Sequence, residues 1–233
     1  MPKNPWRHPF AEPPYVLPGD KEFVDAFNVK VGDGSRSYLH IDTLIPEPFI
    51  GDPQTPVLLL SNNPGVGKQT SLRLQPDFIE RVRKNLRLEK SAYRFFYLDP
   101  NFAAKWWLRK LKSLVDKFGN EGREIVANSI CNVVYFPYPS KRMGHRPPNL
   151  PSQEFGFSLV RAAIQRRAMI VAMRKGKLKW WYDRVEGLKG YENLVQLMNP
   201  RTPTVSPGNC EVGDFEKIVA AIERARAKKA NPS

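Results

Sequence analysis

Pro56-Val57-Leu58-Leu59-Leu60-Ser61-Asn62-Asn63-Pro64-Gly65 is an apolar run that ends in a polar Asn-Pro turn. Such a run, bounded by turn residues, reads as a strand buried on both faces. The pattern returns late in the chain, at Leu197-Met198-Asn199-Pro200-Arg201-Thr202-Pro203-Thr204-Val205-Ser206-Pro207. A buried strand that delivers Asn side chains and free backbone N–H groups at its carboxyl end is a common way to build a site in an open α/β sheet. Two such turns, one early and one late, are expected to border a single cleft.

Between and around them, strand-like and helical segments alternate. Asp77–Leu88 places Phe78, Ile79, Val82 and Leu86 at helical spacing. Ala103–Phe118 does the same with Trp106, Trp107, Leu108, Leu111, Leu114, Val115 and Phe118, and Gly119 can end it. Cys131–Phe136 is a β-rich run closed by Pro137-Tyr138-Pro139-Ser140, and Glu154–Arg167 is helical. Met169–Met173 reads as a strand, Lys179–Val185 as a short helix, Leu194–Met198 as the last strand and Asp214–Lys228 as an amphipathic helix. The alternation predicts a three-layer α/β/α fold around a mostly parallel four-stranded sheet. Residues 1–50 are expected to form a Pro-rich N-terminal arm packed on that domain, and 51–233 the domain itself. The proline density of the first 20 residues argues against a regular element there.

The chain has 233 residues, 41% of them hydrophobic, and a formal charge of +14. The excess of cations favours a polyanionic partner, nucleic acid or, less so, an anionic membrane surface; a basic solvated surface is the alternative. No apolar run approaches the ~18–20 residues that span a bilayer, and the N-terminus lacks the pattern of a signal peptide. A cytoplasmic, monomeric protein that does not engage membranes is expected. Cys131 and Cys210 form no CxxC pair, and His8, His40 and His145 are scattered. These features point to buried thiols and to a site without metal or cofactor.

Gly65-Val66-Gly67-Lys68 after a strand invites a phosphate-loop reading. That motif requires a Gly where Asn62 stands and a Ser or Thr where Gln69 stands, although Thr70 is one residue away. A nucleotide-binding P-loop protein is therefore the weaker alternative.

Ser61-Asn62-Asn63-Pro64-Gly65 resembles the first active-site motif of the uracil-DNA glycosylase superfamily, especially its mismatch-specific uracil/thymine branch. Met198-Asn199-Pro200 resembles that branch's second motif. The segments between follow the same order, and the resemblance covers about residues 50–230. It implies a uracil-DNA glycosylase-like fold and metal-independent hydrolysis of the N-glycosidic bond of a flipped-out uracil or related base. Asn63 then takes the place of the residue that positions water, and Asn199 that of the residue that polarises the leaving base. Ser61, Asn62, Pro64, Gly65, Phe96, Tyr97, Asn132, Val134 and Tyr138 fall at base-binding positions. Phe96 or Tyr97 stands for the stacking aromatic. Lys68, Ser140, Lys141, Arg142, Arg201 and Ser206 become DNA contacts. The chain departs from the pattern in three places. Arg201-Thr202-Pro203 replaces the usual Ser and short apolar wedge, Val134 stands where a reading Asn is found in the single-strand-selective branch, and Ser61 replaces a Gly. The departures leave open a nucleic-acid-binding module on the same fold that has lost the chemistry.

Overall fold

Four consecutive apolar residues at 57–60 need cover on both faces, and each of them is buried to 2% exposure or less. A computed structural model describes residues 2–8, 10–67, 70–102, 105–143, 148–199 and 201–230. In chain order the elements are α1 (Pro18–Val31), β1 (Phe49–Gly51), β2 (Val57–Ser61), α2 (Thr70–Arg73), α3 (Pro76–Leu86), α4 (Lys105–Lys117), α5 (Gly122–Ala127), β3 (Ile130–Val134), α6 (Gln153–Gln165), β4 (Met169–Ala172), α7 (Leu178–Tyr182), β5 (Leu194–Gln196) and α8 (Asp214–Ala230). The protein is α/β.

The sheet has five strands where the sequence pattern predicts four, in the order β1-β3-β2-β4-β5. Parallel pairing sets Val57 opposite Met169 and Leu60 opposite Ala172, and β5 continues it with Ile170 opposite Leu194. β3 runs parallel to β2: Val57 N–H donates to the Ser129 carbonyl at one end and Phe136 N–H to the Asn62 carbonyl at the other. The additional strand is β1. Val134 N–H donates to the Pro48 carbonyl, while Gly51 lies against Ile130 and Cys131, so β1 is antiparallel and the sheet is mixed. Gly51 has φ +103°, and a Cβ there would fall 2.5 Å from the Ile130 carbonyl oxygen, so the edge strand requires glycine. From β2 the chain passes to β3 on one side and then crosses to β4 on the other. The winding therefore reverses at β2, the point at which open α/β sheets bind ligands beyond their carboxyl ends.

The chain divides into two compact units. One comprises residues 1–50, 62–89 and 134–158; the other comprises 51–61, 90–133 and 159–233. In the first unit the Pro-rich segment is held by specific contacts. Trp6 is buried, edge-on to Tyr138 at 6.0 Å, and Asn4 Nδ2 donates to the Leu86 carbonyl at 3.0 Å. Arg83 of α3 donates to the carbonyls of Phe10 and Ala11. Asn28 of α1 exchanges two hydrogen bonds with the Leu39 backbone. In the second unit α8 packs on β2 and β4, and α4 packs on α5.

Gly122 begins α5 against the backbone of α4, where a Cβ would stand 2.0 Å from the Val115 carbonyl oxygen. Gly122→Ala is expected to cost about 3 kcal/mol, the upper range for overpacking, because the obstacle is backbone. Equilibrium denaturation measures it, and a loss under about 1 kcal/mol would mean that the two helices shift apart freely. Among the described residues no helix is long and apolar enough to cross a membrane.

Candidate functional site

In the first unit, the turn after β2 is joined to the segment after β3 beyond the ends of both strands. Ser140 N–H donates to the Pro64 carbonyl at 3.2 Å, and Val66 N–H to the Ser140 carbonyl at 3.1 Å. Gly65 and Ser140 thereby form a parallel bridge. Asn63 adds its side chain to this junction, with Nδ2 donating to the Ser140 carbonyl (3.1 Å), the Ser140 Oγ (3.0 Å) and the Pro64 carbonyl (3.2 Å). A carbonyl can only accept, so these contacts fix which end of the amide faces Ser140. Asn63 Oδ1 is left without a partner among the described residues, on a half-buried side chain, as an acceptor of fixed direction.

Arg73, the last residue of α2, braces the same turn. Its Nη1 donates to the Gly65 carbonyl at 2.9 Å, and its Nη2 pairs with Glu47 at 2.6 Å. Both side chains of that pair are largely buried. Gly65 itself is exposed, and a Cβ on it would meet nothing within 4 Å among the described residues.

Tyr138 is fully buried, and its hydroxyl is used within the fold. It donates to Asp20 Oδ2 at 2.8 Å and accepts from Leu17 N–H at 3.1 Å, while Asp20 Oδ1 accepts from Ser152 N–H. Burial first, and then the Asp20 carboxylate, push the phenol far above its ordinary value, so it remains a donor. This places Tyr138 in the support of the turn, behind Ser140. Ser140 is 1% exposed and orients Asn63. Lys141 and Arg142 are exposed beside it; Arg142 N–H donates to the Arg36 carbonyl. Asn62 and Pro64 lie in the turn, Asn62 through its carbonyl bond to Phe136 and Pro64 buried. Lys68 and Gln69 lie outside the described residues, as do His145, Arg146 and Pro200. The Thr70 hydroxyl donates to the Gly67 carbonyl at 2.6 Å and accepts from Gly67 N–H.

In the second unit the carboxyl ends of β2, β4 and β5 are level: Met173 N–H donates to Leu60 and Leu197 N–H to Ala172. Beyond them come Ser61, Arg174 and the Met198–Asn199 turn. The Ser61 hydroxyl donates to Asn132 Oδ1 at 2.6 Å, bringing together two expected site residues from adjacent strands. Asn132 is buried, as is Val134 farther along β3.

The turn after β5 is built around Asn209, a residue that no local motif marks. Its Oδ1 accepts from Asn199 N–H at 2.6 Å, its carbonyl accepts from Met198 N–H, and its Nδ2 donates to the carbonyls of Thr202 and Thr204. Asn199 Oδ1 accepts from the backbone N–H groups of Arg201 (3.0 Å) and Thr202 (3.3 Å). Those two donors fix the amide, and Nδ2 is the free end among the described residues, on an exposed side chain. Arg201 is exposed, and the Ser206 carbonyl accepts from Asn209 and Cys210.

Phe96 and Tyr97 form a 3₁₀ turn, Phe96–Leu98, buried in an aromatic cluster with Phe95, Phe102 and Trp107. Tyr97 lines a pocket of about 220 Å³ with Asp99, Phe102, Lys105, Leu108 and Arg123; Phe96 does not reach it. Burial pushes both thiols up, that of Cys210 to about 11, so neither is a ready nucleophile. No family model, curated protein or solved structure matches the chain.

Proposed function

We propose that the protein is a DNA-acting N-glycosidase that hydrolyses the bond between deoxyribose and a flipped-out base, uracil or a relative of it, on a three-layer α/β/α fold of the uracil-DNA glycosylase type. The observation that carries the reading is the opposite fixation of two Asn amides. Asn63 presents an acceptor, and Asn199 presents a donor.

One such group comes from each compact unit, and the reaction has a use for each kind. The C1′–N bond breaks with its electron pair leaving on the base, and the sugar becomes cationic. Water adds its oxygen to C1′ and loses a proton to solvent, giving a free base and an abasic site. A donor aimed at a base oxygen stabilises the negative charge as it develops. An acceptor of fixed direction orients the water, although an amide cannot take its proton as a carboxylate would. Extracting a base from the stack also requires a grip on phosphates, for which the +14 charge provides the means.

Asn63→Ala is expected to lower base release about 10²-fold, the lower end for a positioned polar group. DNA affinity is expected to stay within error, while the melting temperature falls by a few degrees because the hydrogen bonds to Ser140 and Pro64 are lost. Release is scored by alkaline strand scission of an oligonucleotide, and an unchanged rate would remove Asn63 from the mechanism. The rival is a nucleic-acid-binding module without chemistry, favoured by an amide rather than a carboxylate at position 63. Salt-sensitive binding with no base release from any substrate would establish that rival.

A further inference from the structure

The connections that leave β4 and β5 at their carboxyl ends carry charge of one sign. Met173-Arg174-Lys175-Gly176-Lys177-Leu178-Lys179-Trp180-Trp181-Tyr182 follows β4, and residues 197–210, with Arg201, follow β5; neither segment contains an Asp or a Glu. The two strands pair in parallel, Val171 opposite Val195 and Ala172 opposite Gln196. Both segments therefore leave the same edge of the sheet, about 5 Å apart at their start. Leu178 and Trp181 are buried and anchor the first segment. Lys175 and Lys179 are exposed, and Lys177 is half-buried. The Lys177 Nζ lies 4.1 Å from the centroid of the Trp180 ring, so cation–π attraction holds that ammonium in place. Lys175, Lys177, Lys179 and Arg201 make no ion pair among the described residues. Exposed lysines on the helices differ: Lys21 pairs with Asp25, Lys112 with Asp116 and Lys217 with Asp214.

Like charges gathered without counter-charges repel one another, and a polyanion relieves that repulsion while releasing its own counterions. We propose that Lys175, Lys177 and Lys179, with Arg201 beside them, form a surface that follows the phosphates of one nucleic-acid strand past the turn carrying Asn199. The choice of occupant rests on the DNA reading above. Contacts of this kind set the position of a strand without reading its sequence. An anionic lipid surface would use the same charges, but the lysine segment has no exposed apolar side chain to insert: Leu178 and Trp181 are buried, and Trp180 is half-buried beneath Lys177.

The test uses the full chain and a fluorescein-labelled 20-mer, single-stranded and duplex, with anisotropy read from about 50 to 200 mM salt. The triple variant Lys175→Gln, Lys177→Gln, Lys179→Gln is expected to reduce the slope of log K against log salt by about 2–3 and to weaken binding about 10²-fold at the lowest salt. Three Lys→Arg changes at the same positions are expected to keep both. Lys175→Gln with Lys179→Gln, both exposed, leaves the Lys177–Trp180 contact intact and serves if the triple variant fails to fold; its slope is expected to fall by about 2. A charge-matched control removes Arg224, Lys228 and Lys229 near the end of α8, all exposed, and is expected to leave the slope unchanged. No oligonucleotide binding by the wild type, an unchanged slope in the lysine variants, or an equal fall in the control would overturn the surface. Sedimentation with vesicles of phosphatidylserine and phosphatidylcholine in equal parts tests the rival occupant: vesicle binding that the triple variant abolishes, with oligonucleotide binding untouched, would overturn the nucleic-acid strand. Lysine-dependent binding without base release would sink the glycosidase and leave the surface standing. Base release with binding independent of the three lysines would do the reverse.

Discussion

Asn199→Asp is expected to slow base release about 10²–10³-fold while leaving the turn in place. The aspartate keeps an oxygen for the N–H groups of Arg201 and Thr202, which is what Asn199 Oδ1 supplies to the backbone. It removes the Nδ2 donor and, on the proposed reading, places a negative charge where charge would build on the leaving base. Loss of one preorganised donor to a developing oxyanion is worth about 10²–10³ in rate. Asn199→Ala disturbs the turn as well, because both backbone donors lose their acceptor, so the aspartate is the more informative variant. If Asn199→Asp releases base at the wild-type rate, the donor role is wrong and Asn199 serves only as the Asx residue of its turn. Asn209→Ala separates the two contributions further, since the Asn209 side chain bonds to the turn backbone.

Arg73→Ala is expected to be the most destabilising of the substitutions, at about 3–5 kcal/mol, because it leaves Glu47 buried without this ion-pair partner. It also removes one of the bonds on the turn that carries Asn63, the one to the Gly65 carbonyl. Urea denaturation gives the stability loss. The double variant Glu47→Leu with Arg73→Met is expected to recover most of it, since replacing both buried charges with apolar side chains is often close to neutral. A single-variant loss below about 1 kcal/mol would mean that the pair is solvated and contributes as a surface ion pair does. The double variant then separates fold from function. A stable double variant with slow base release would show that the arginine's bond to Gly65, rather than its charge pairing, holds the turn in its working form.

Apolar runs make β2, β3, β4 and β5 legible in the sequence alone, and three-to-four spacing does the same for α3, α4 and α8. These signals arise from burial on both faces of a strand or along one face of a helix, and they depend little on distant residues. Two elements are not legible in this way. β1 is three residues long, too short for any period, and it exists because Gly51 can approach Ile130 closely. α1 begins at Pro18, which reads as the end of the Pro-rich stretch, yet proline is well suited to the first turn of a helix. The grouping of residues 1–50 with 62–89 and 134–158 in one compact unit is equally hidden, because it depends on contacts such as Asn4 with Leu86 that span many residues.

The site divides in the same way. The Asn-Pro turns can be read because proline and asparagine carry local conformational meaning. What fixes their amides cannot, since Ser140 lies 77 residues from Asn63 and Asn209 is an ordinary-looking residue ten positions beyond Asn199. Tyr138 shows the limit of motif reading: the resemblance sets it at a base-binding position, and its hydroxyl is committed to Asp20, 118 residues away.

Release of a base is the activity on which the proposed roles of Asn63 and Asn199 both depend. Its most direct test is a base-release assay on single-stranded and duplex oligonucleotides carrying uracil, hypoxanthine, xanthine or a G·T mismatch, with alkali to reveal abasic sites and Asn63→Ala run beside the wild type. Scission of at least one substrate by the wild type, and about a hundredfold less by the variant, is the expected result. Intact strands with every substrate, from protein that binds the same oligonucleotides in a salt-dependent way, would contradict it.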